Sequence, residues 1–218
     1  KKEKSKMKKA LSILIAAVLI LTVGGCAGAG EKSDAAEFSR GVVKGSSYIS
    51  EFEGFSAELP EEYEFYTDEQ IAEVNGVTAD ALDGQNSDVF KNALESGQSL
   101  TDMFAAGADG LSTVNVTIEN LEVSGNKDMT ESEYAALGSE QLKKALENIG
   151  YSVSDIKSAE KEFAGAKHPA ITVEWQYSGR KGYETVICRK VGKYMVNVTA
   201  CTWEENTTDF LISCFKSI

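Results

Sequence analysis

Histidine occurs once in these 218 residues, proline twice and tryptophan twice, and no run of glycines forms a phosphate loop. Each shortage closes a class of function. A zinc centre needs His and Cys ligands in paired spacing, whereas His168 stands alone beside dispersed thiols at Cys188, Cys201 and Cys214. Acid–base or nucleophilic catalysis needs a base placed beside a nucleophile. No Ser, Cys and carboxylate arrangement accompanies His168, which reads as a surface-turn histidine ahead of Pro169. Gly107, Gly110 and Gly125 fall at hairpin positions and not before a helix, so no nucleotide cradle is expected. The chain is therefore expected not to be an enzyme, and to need no metal and no cofactor.

Positive charge is also scarce where it would count. Residues 1–25 hold six of the 22 basic residues and one of the 34 acidic ones, which leaves a formal −17 from Cys26 onward. Such a surface repels nucleic acid and anionic lipid alike. Cationic partners and divalent ions are still allowed. Asp80, Asp83, Asn86 and Asp88 put oxygen ligands on one loop, but without the spacing or terminal Glu of a hand-type calcium site. A solvated acidic loop is the expectation.

The early basic residues flank the one long apolar run. Lys8 and Lys9 precede 14 uncharged residues, 10–23. That is short of the ~20 a bilayer-spanning helix needs and matches the apolar region of a secretory signal. Met7 reads as the natural start, with residues 1–6 an upstream extension. Val23-Gly24-Gly25-Cys26 then resembles the lipobox of bacterial lipoproteins. The family more often has Leu at the Val23 position and Ala or Ser at Gly24. The resemblance implies cleavage before Cys26, fatty acid (palmitate or a similar chain) on its thiol, and anchorage to the extracytoplasmic face of a bacterial cell membrane. Expected divisions are a signal peptide over 1–25, a lipidated Cys26 and small, polar tether over 26–45, and a folded domain over 46–218. Cleavage would leave 193 residues, enough for one domain with a real core.

Within that domain the periodicity alternates between strand and helix. Phe52, Phe55, Ala57 and Leu59 lie in a short extended stretch ended by Pro60. Thr67 with Gln70 makes a capping pattern for a short helix to about 74. Ser87 opens a second helix, 88–95, stopped by Gly97. Segments 100–106 and 112–121 form a hairpin around Asp109-Gly110; Val114, Val116 and Ile118 face one way, and Thr113, Asn115, Thr117 and Glu119 the other. Thr130 and Glu133 cap the clearest helix, 130–149, with Leu142, Ala145, Leu146 and Ile149 as its buried stripe. A meander follows over 151–202, turning at Ala164-Gly165, at 178–182 and across Gly192. A last helix, 207–216, is expected to bury Phe210, Leu211, Cys214 and Phe215. Helices set between antiparallel strands predict an α+β fold, one antiparallel sheet flanked by helices.

This order of elements, with Leu59-Pro60-Glu61-Glu62-Tyr63, Asn115-Val116-Thr117-Ile118 and the turn from Phe163-Ala164-Gly165 to Ile171, resembles the PsbP-like domains of bacterial lipoproteins. The likeness spans most of 48–218. It implies an α/β/α sandwich acting as a non-catalytic adaptor or binding domain, and it carries over no functional residue.

The remaining candidates are aromatics and thiols. Trp175 and Tyr177 share parity with Ile171 and Val173 and read as core. Trp203, outside that pattern at a strand end, is the residue expected to meet a partner. A three-residue hairpin at Gly192 would set Cys188 with Val186, Tyr194, Val196 and Val198, and Cys201 on the opposite face, so the two should not bond. Cys188 is expected to be buried, and a Cys201–Cys214 pair is left open. Asn-x-Thr triplets at Asn115, Asn197 and Asn206 carry no meaning as glycosylation acceptors in a bacterial exported chain. Three readings compete: a lipid-anchored accessory module recruiting an unidentified protein or envelope partner, which is favoured; a solute receptor for a transporter; and a small extracytoplasmic hydrolase.

Overall fold

Three tight turns and two capped helices place most of this chain. The computed structural model describes residues 38–76 and 87–218. In order, the elements are β1 (Val42–Lys44), β2 (Ser47–Ser50), β3 (Phe55–Glu58), β4 (Tyr63–Phe65) and α1 (Asp68–Val74). Next come α2 (Ser87–Glu95), β5 (Leu100–Gly107), β6 (Thr113–Asn120) and α3 (Glu131–Asn148). The meander is β7 (Ser152–Phe163), β8 (Ala166–Tyr177), β9 (Arg180–Val191) and β10 (Tyr194–Trp203), followed by α4 (Thr208–Ser213) and β11 (Phe215–Ser217).

Ala164-Gly165 and Ser178-Gly179 take positive φ at both positions, +47° and +83°, then +51° and +80°. That is what a type I′ turn demands, and it returns each strand tightly against the last. The long helix α3 starts where its cap dictates. The Thr130 hydroxyl accepts from the Glu133 N–H, and the Glu133 carboxylate accepts the Thr130 N–H at 2.9 Å. Its buried stripe is Tyr134, Ala135, Gly138, Leu142 and Leu146. Ile149, expected to complete that stripe, is exposed because the helix has already ended at Asn148.

The strands form two antiparallel sheets. One has seven strands in the order β4-β5-β6-β10-β9-β8-β7, the other four in the order β1-β2-β3-β11. Val114, Val116, Ile118, Val196 and Val198 of the large sheet pack against Tyr48, Phe55 and Phe215 of the small one. On the reverse side, Leu142 and Leu146 of α3 cover Ile171, Val173, Trp175 and Val186. Fully burying such a side chain stabilises the fold by ~1.5–3 kcal/mol. The α+β class with an antiparallel sheet flanked by helices holds, with α3 on one side and α1, α2, α4 and the small sheet on the other.

The second sheet is a correction to the expected single one. Its strands β1 and β11 are three residues long, too short to display a period of two. The tether expected to run to residue 45 also yields: Phe38 is buried in the core and Val42 pairs with Ile49. The final helix stops at Ser213, since Phe215 pairs with Ala57 as a strand, and Phe210 is exposed. At the third turn Val191 pairs directly with Tyr194, a two-residue loop instead of three. That one-residue change reverses the face expected for Cys188: it joins Val186, Met195 and Cys201 beneath α3. The two thiols lie four positions apart in register, Cys188 against Asn197 and Cys201 against Glu184. All three described cysteines are free, Cys188 and Cys201 buried and Cys214 partly so.

Candidate functional site

On β6 and β10 the side facing the small sheet is apolar along its middle, from Val114 to Ile118 and from Val196 to Ala200, with buried Asn120 and Thr202 at its ends. The other side carries Thr113, Asn115, Thr117 and Glu119 on β6, and Asn197, Thr199 and Cys201 on β10, every one of them buried. Antiparallel register sets Asn115 opposite Thr199 and Thr117 opposite Asn197. Two Asn-Val-Thr triplets, distant in sequence, therefore close into a reciprocal quartet. The α3 helix packs on β7, β8 and β9, and from it Tyr134 reaches the strip. Its hydroxyl donates to Glu119 at 2.9 Å and accepts from the Asn197 amide at 2.9 Å. Asn115 is 0 % exposed, and neither atom of its amide has a partner. The Asn197 carbonyl oxygen is likewise unbonded.

Such groups are expensive. A buried polar group without a partner costs ~1–3 kcal/mol, and native interiors leave few of them. Valine would fill these positions better if stability alone were at stake. Where local chemistry opposes the fold around it, function is the usual reason.

The strip ends at a carboxyl and an aromatic cluster. Glu184 lies in one row with Val173 on β8 and Cys201 on β10. Burial alone pushes it up to about 8, so it holds its proton at neutral pH. Burial also pushes Glu119 to about 7, against the bond from Tyr134. The Cys188 thiol rises to about 12 by burial, and Cys201 rises too, first by burial and then through Glu184. Neither sulfur is a nucleophile at neutral pH, since that requires thiolate. Glu184 is level with Thr113, six residues along β6 from Glu119, or ~20 Å at ~3.3 Å per residue. Paired hydrolytic carboxyls stand ~5–9 Å apart. Between Glu119 and Glu184 the strip thus offers neutral donors and acceptors, which suit recognition.

A second polar group lies between the sheets. The register of β5 on β6 slips between Thr101 and Met103, and the extra residue is Asp102. Tyr48 bridges the carboxyls of Glu53 and Asp102, at 2.8 and 2.6 Å. One hydroxyl carries one proton, so the second bond needs a protonated acid. Burial and then the neighbouring Asp102 push Glu53 well above its ordinary range. Asp102 is also raised by burial, but Arg40 opposes this at 3.2 Å and the Gly41 N–H at 2.7 Å. Glu53 therefore donates to Tyr48 and Tyr48 to Asp102. The hydroxyl fills the gap a substrate would need, so this pair pins the segment after Phe38 to the domain.

The residues singled out from sequence fare differently. Trp203 is 8 % exposed, edge-on to Trp175 at 6.2 Å and covered by the Arg180 guanidinium at 5.4 Å. It is core and not the exposed contact expected, because the aromatic cluster extends to the strand end. The indole N–H groups of Trp175 and Trp203 and the Tyr151 hydroxyl are buried without partners. His168 is no turn residue. It is half-buried in β8, with Nδ1 at 3.1 Å from Glu131, whose other oxygen accepts the Lys190 N–H at 2.7 Å. These bonds fasten the start of α3 to β8 and β9. Among the described residues no group of three or more His, Cys, Asp or Glu could hold a metal ion. Cys26 and the loop residues Asp80, Asp83 and Asn86 lie outside the described residues; Asp88 is in α2. Sequence reading passed over the Asn-x-Thr triplets, whose repetition on two alternating strands was the signal available.

No protein-family model and no curated protein matches the chain. Among solved structures it is similar to cyanobacterial PsbP from Synechocystis sp. PCC 6803, with 11% identity over 90% of this chain and 99% of that one, and a TM-score of 0.43. A likeness at that level says nothing of activity or partner.

Proposed function

We propose that this chain is an accessory binding domain of the extracytoplasmic face, anchored by lipid on Cys26, that holds a small uncharged guest at the Asn115–Asn197 strip and does not transform it. The unbonded amide of Asn115 carries the reading. Its donor and acceptor stand beside Thr117, Thr199 and Asn197, with no fixed charge between the two raised carboxyls. A guest there is enclosed by the fold, which limits it to a small molecule. The hydrolase reading loses support from the buried, protonated thiols and the separated carboxyls. The two-lobed receptor reading gains none, since the described residues build around one long sheet. No helix among them is long and apolar enough to cross a membrane, and the lipobox resemblance supports attachment through Cys26.

Two experiments test the halves separately. Globomycin, or Cys26→Ala, is expected to block processing and release the chain from the membrane fraction; unchanged retention overturns the anchor. Native mass spectrometry of protein drawn gently from its own membrane is expected to show a small adduct. The Asn115→Val/Asn197→Val form should lack that adduct and melt at a higher temperature. A lower melting temperature would make the strip structural and overturn the binding site.

A further inference from the structure

The outward side of the small sheet differs from the rest of this acidic surface. Large apolar side chains exposed among the described residues are few, and three of the seven belong here: Val42, Ile49 and Ile218; Val43, paired with Tyr48, lies on the other face. Val42 is 53 % and Ile218 59 % exposed. Register places Val42 beside Ile49, Ile49 beside Ser56, and Ser56 beside Lys216, so the apolar residues share one face. Tyr48, Ala57 and Phe215 point the other way, into the core. Phe210, 58 % exposed, precedes this sheet's last strand on α4. Lys44 and Lys216 also lie on the face, against Glu58 and, in the turn beyond β2, Glu51. The face is close to neutral on a chain that carries −17 after Cys26.

We infer that this face rests on the bilayer to which the chain is tethered, an inference that depends on the lipid anchor proposed above. Eleven residues lie between Cys26 and Phe38, and the twelve steps along them, at ~3.3–3.6 Å each, reach at most about 43 Å. The sheet begins at Val42, so it is the part of the domain that the tether keeps nearest to lipid. Tethering supplies an effective concentration of order mM, at which a few apolar contacts suffice to hold a face that would never bind unaided. Electrostatics adds orientation. The acidic remainder is repelled by anionic headgroups, and the one near-neutral, lysine-bearing side turns toward them. The pin from Asp102 to Arg40 and Gly41 fixes the chain's point of departure beside that face.

The test uses the full lipidated chain in mixed phosphatidylcholine–phosphatidylglycerol vesicles, in a Cys214→Ala background. A nitroxide is attached at Ile49→Cys, and in parallel at Val42→Cys. The control label is at Ile149→Cys, exposed beyond α3 on the opposite side of the large sheet. Relative to the unlipidated Cys26→Ala form, the labels at 49 and 42 should gain several-fold in the ratio of oxygen to nickel-complex accessibility. The label at 149 should not change. No gain at 49 and 42, or an equal gain at 149, overturns the docking while the anchor stands. A chain that fails to float with the vesicles overturns the anchor and the docking with it.

Discussion

Strands β6 and β10 present one backbone with two opposed sides. Toward the small sheet they offer Val114, Val116, Ile118, Val196, Val198 and Ala200, all fully buried in one apolar cluster, with polar Asn120 and Thr202 only at the strand ends. Toward the other side, between those same positions, they offer two amides, several hydroxyls and a carboxyl, equally buried and only partly bonded. Burial is equal, so solvent does not explain the difference. One side is built to hold the sheets together. The other gives up stability to keep hydrogen-bonding groups in a dry place.

The widest separation between the sides should appear with pH. Glu184 has a folded value of about 8 against an ordinary 4.5. The folded state therefore binds a proton that the unfolded state has released, and stability falls as pH rises. The loss begins near 4.5, runs at up to ~1.4 kcal/mol per pH unit, and levels off once the folded group also ionises near 8. Glu184→Gln has no proton to release. Parent minus variant stability, from urea melts between pH 4.5 and 9, should fall through that window and then run flat. A difference independent of pH would mean that Glu184 is solvated, and the polar side would no longer be dry.

Exchanging chemistry between the sides comes next in size. Val116→Asn puts an unbonded amide into the valine-lined side and should cost about 3 kcal/mol, from lost packing and an unpaired polar group together. Asn115→Val, one residue away on the reverse side, should instead add about 1–3 kcal/mol. Chemical denaturation of the two variants reads both signs directly. If both destabilise, the amide of Asn115 is needed for the fold and the contrast fails.

How much of this was legible depended on distance along the chain. The caps of α1 and α3, the Asp109-Gly110 hairpin and the turns at Gly165 and Gly179 are local, and each was read from a few neighbouring residues. The small sheet was not, since β1 and β11 come from opposite ends of the fold and are too short to show a pattern. The Asn115–Thr199 and Thr117–Asn197 pairs were invisible for a related reason: each triplet looked ordinary until register brought them together. Cys188 shows how little error is needed. Its burial was foreseen, yet a loop shorter by one residue put it on the other face. Trp203 failed because a strand end was equated with the surface, whereas Tyr151, Trp175 and Arg180 extend the interior past it.

The smallest effect bears on whether the polar side is a network or a set of strays. Tyr134 is the one side chain of α3 bonded into the strip, between Glu119 and Asn197. Tyr134→Phe keeps the ring in place and leaves the valine side untouched, so any response belongs to the strip. Net loss of the hydroxyl should cost about 1 kcal/mol. Its bond also opposes the upward push of burial on Glu119, so removing it should carry that carboxyl above about 7. Carbon-detected NMR titration of the glutamate carboxyls would follow the change. The sign is what matters: a Glu119 that titrated lower in the variant would have gained water or a new partner, and the strip would then be open rather than enclosed. A rise, with the apolar side's slowest-exchanging amides unchanged, is the outcome that keeps the two sides distinct.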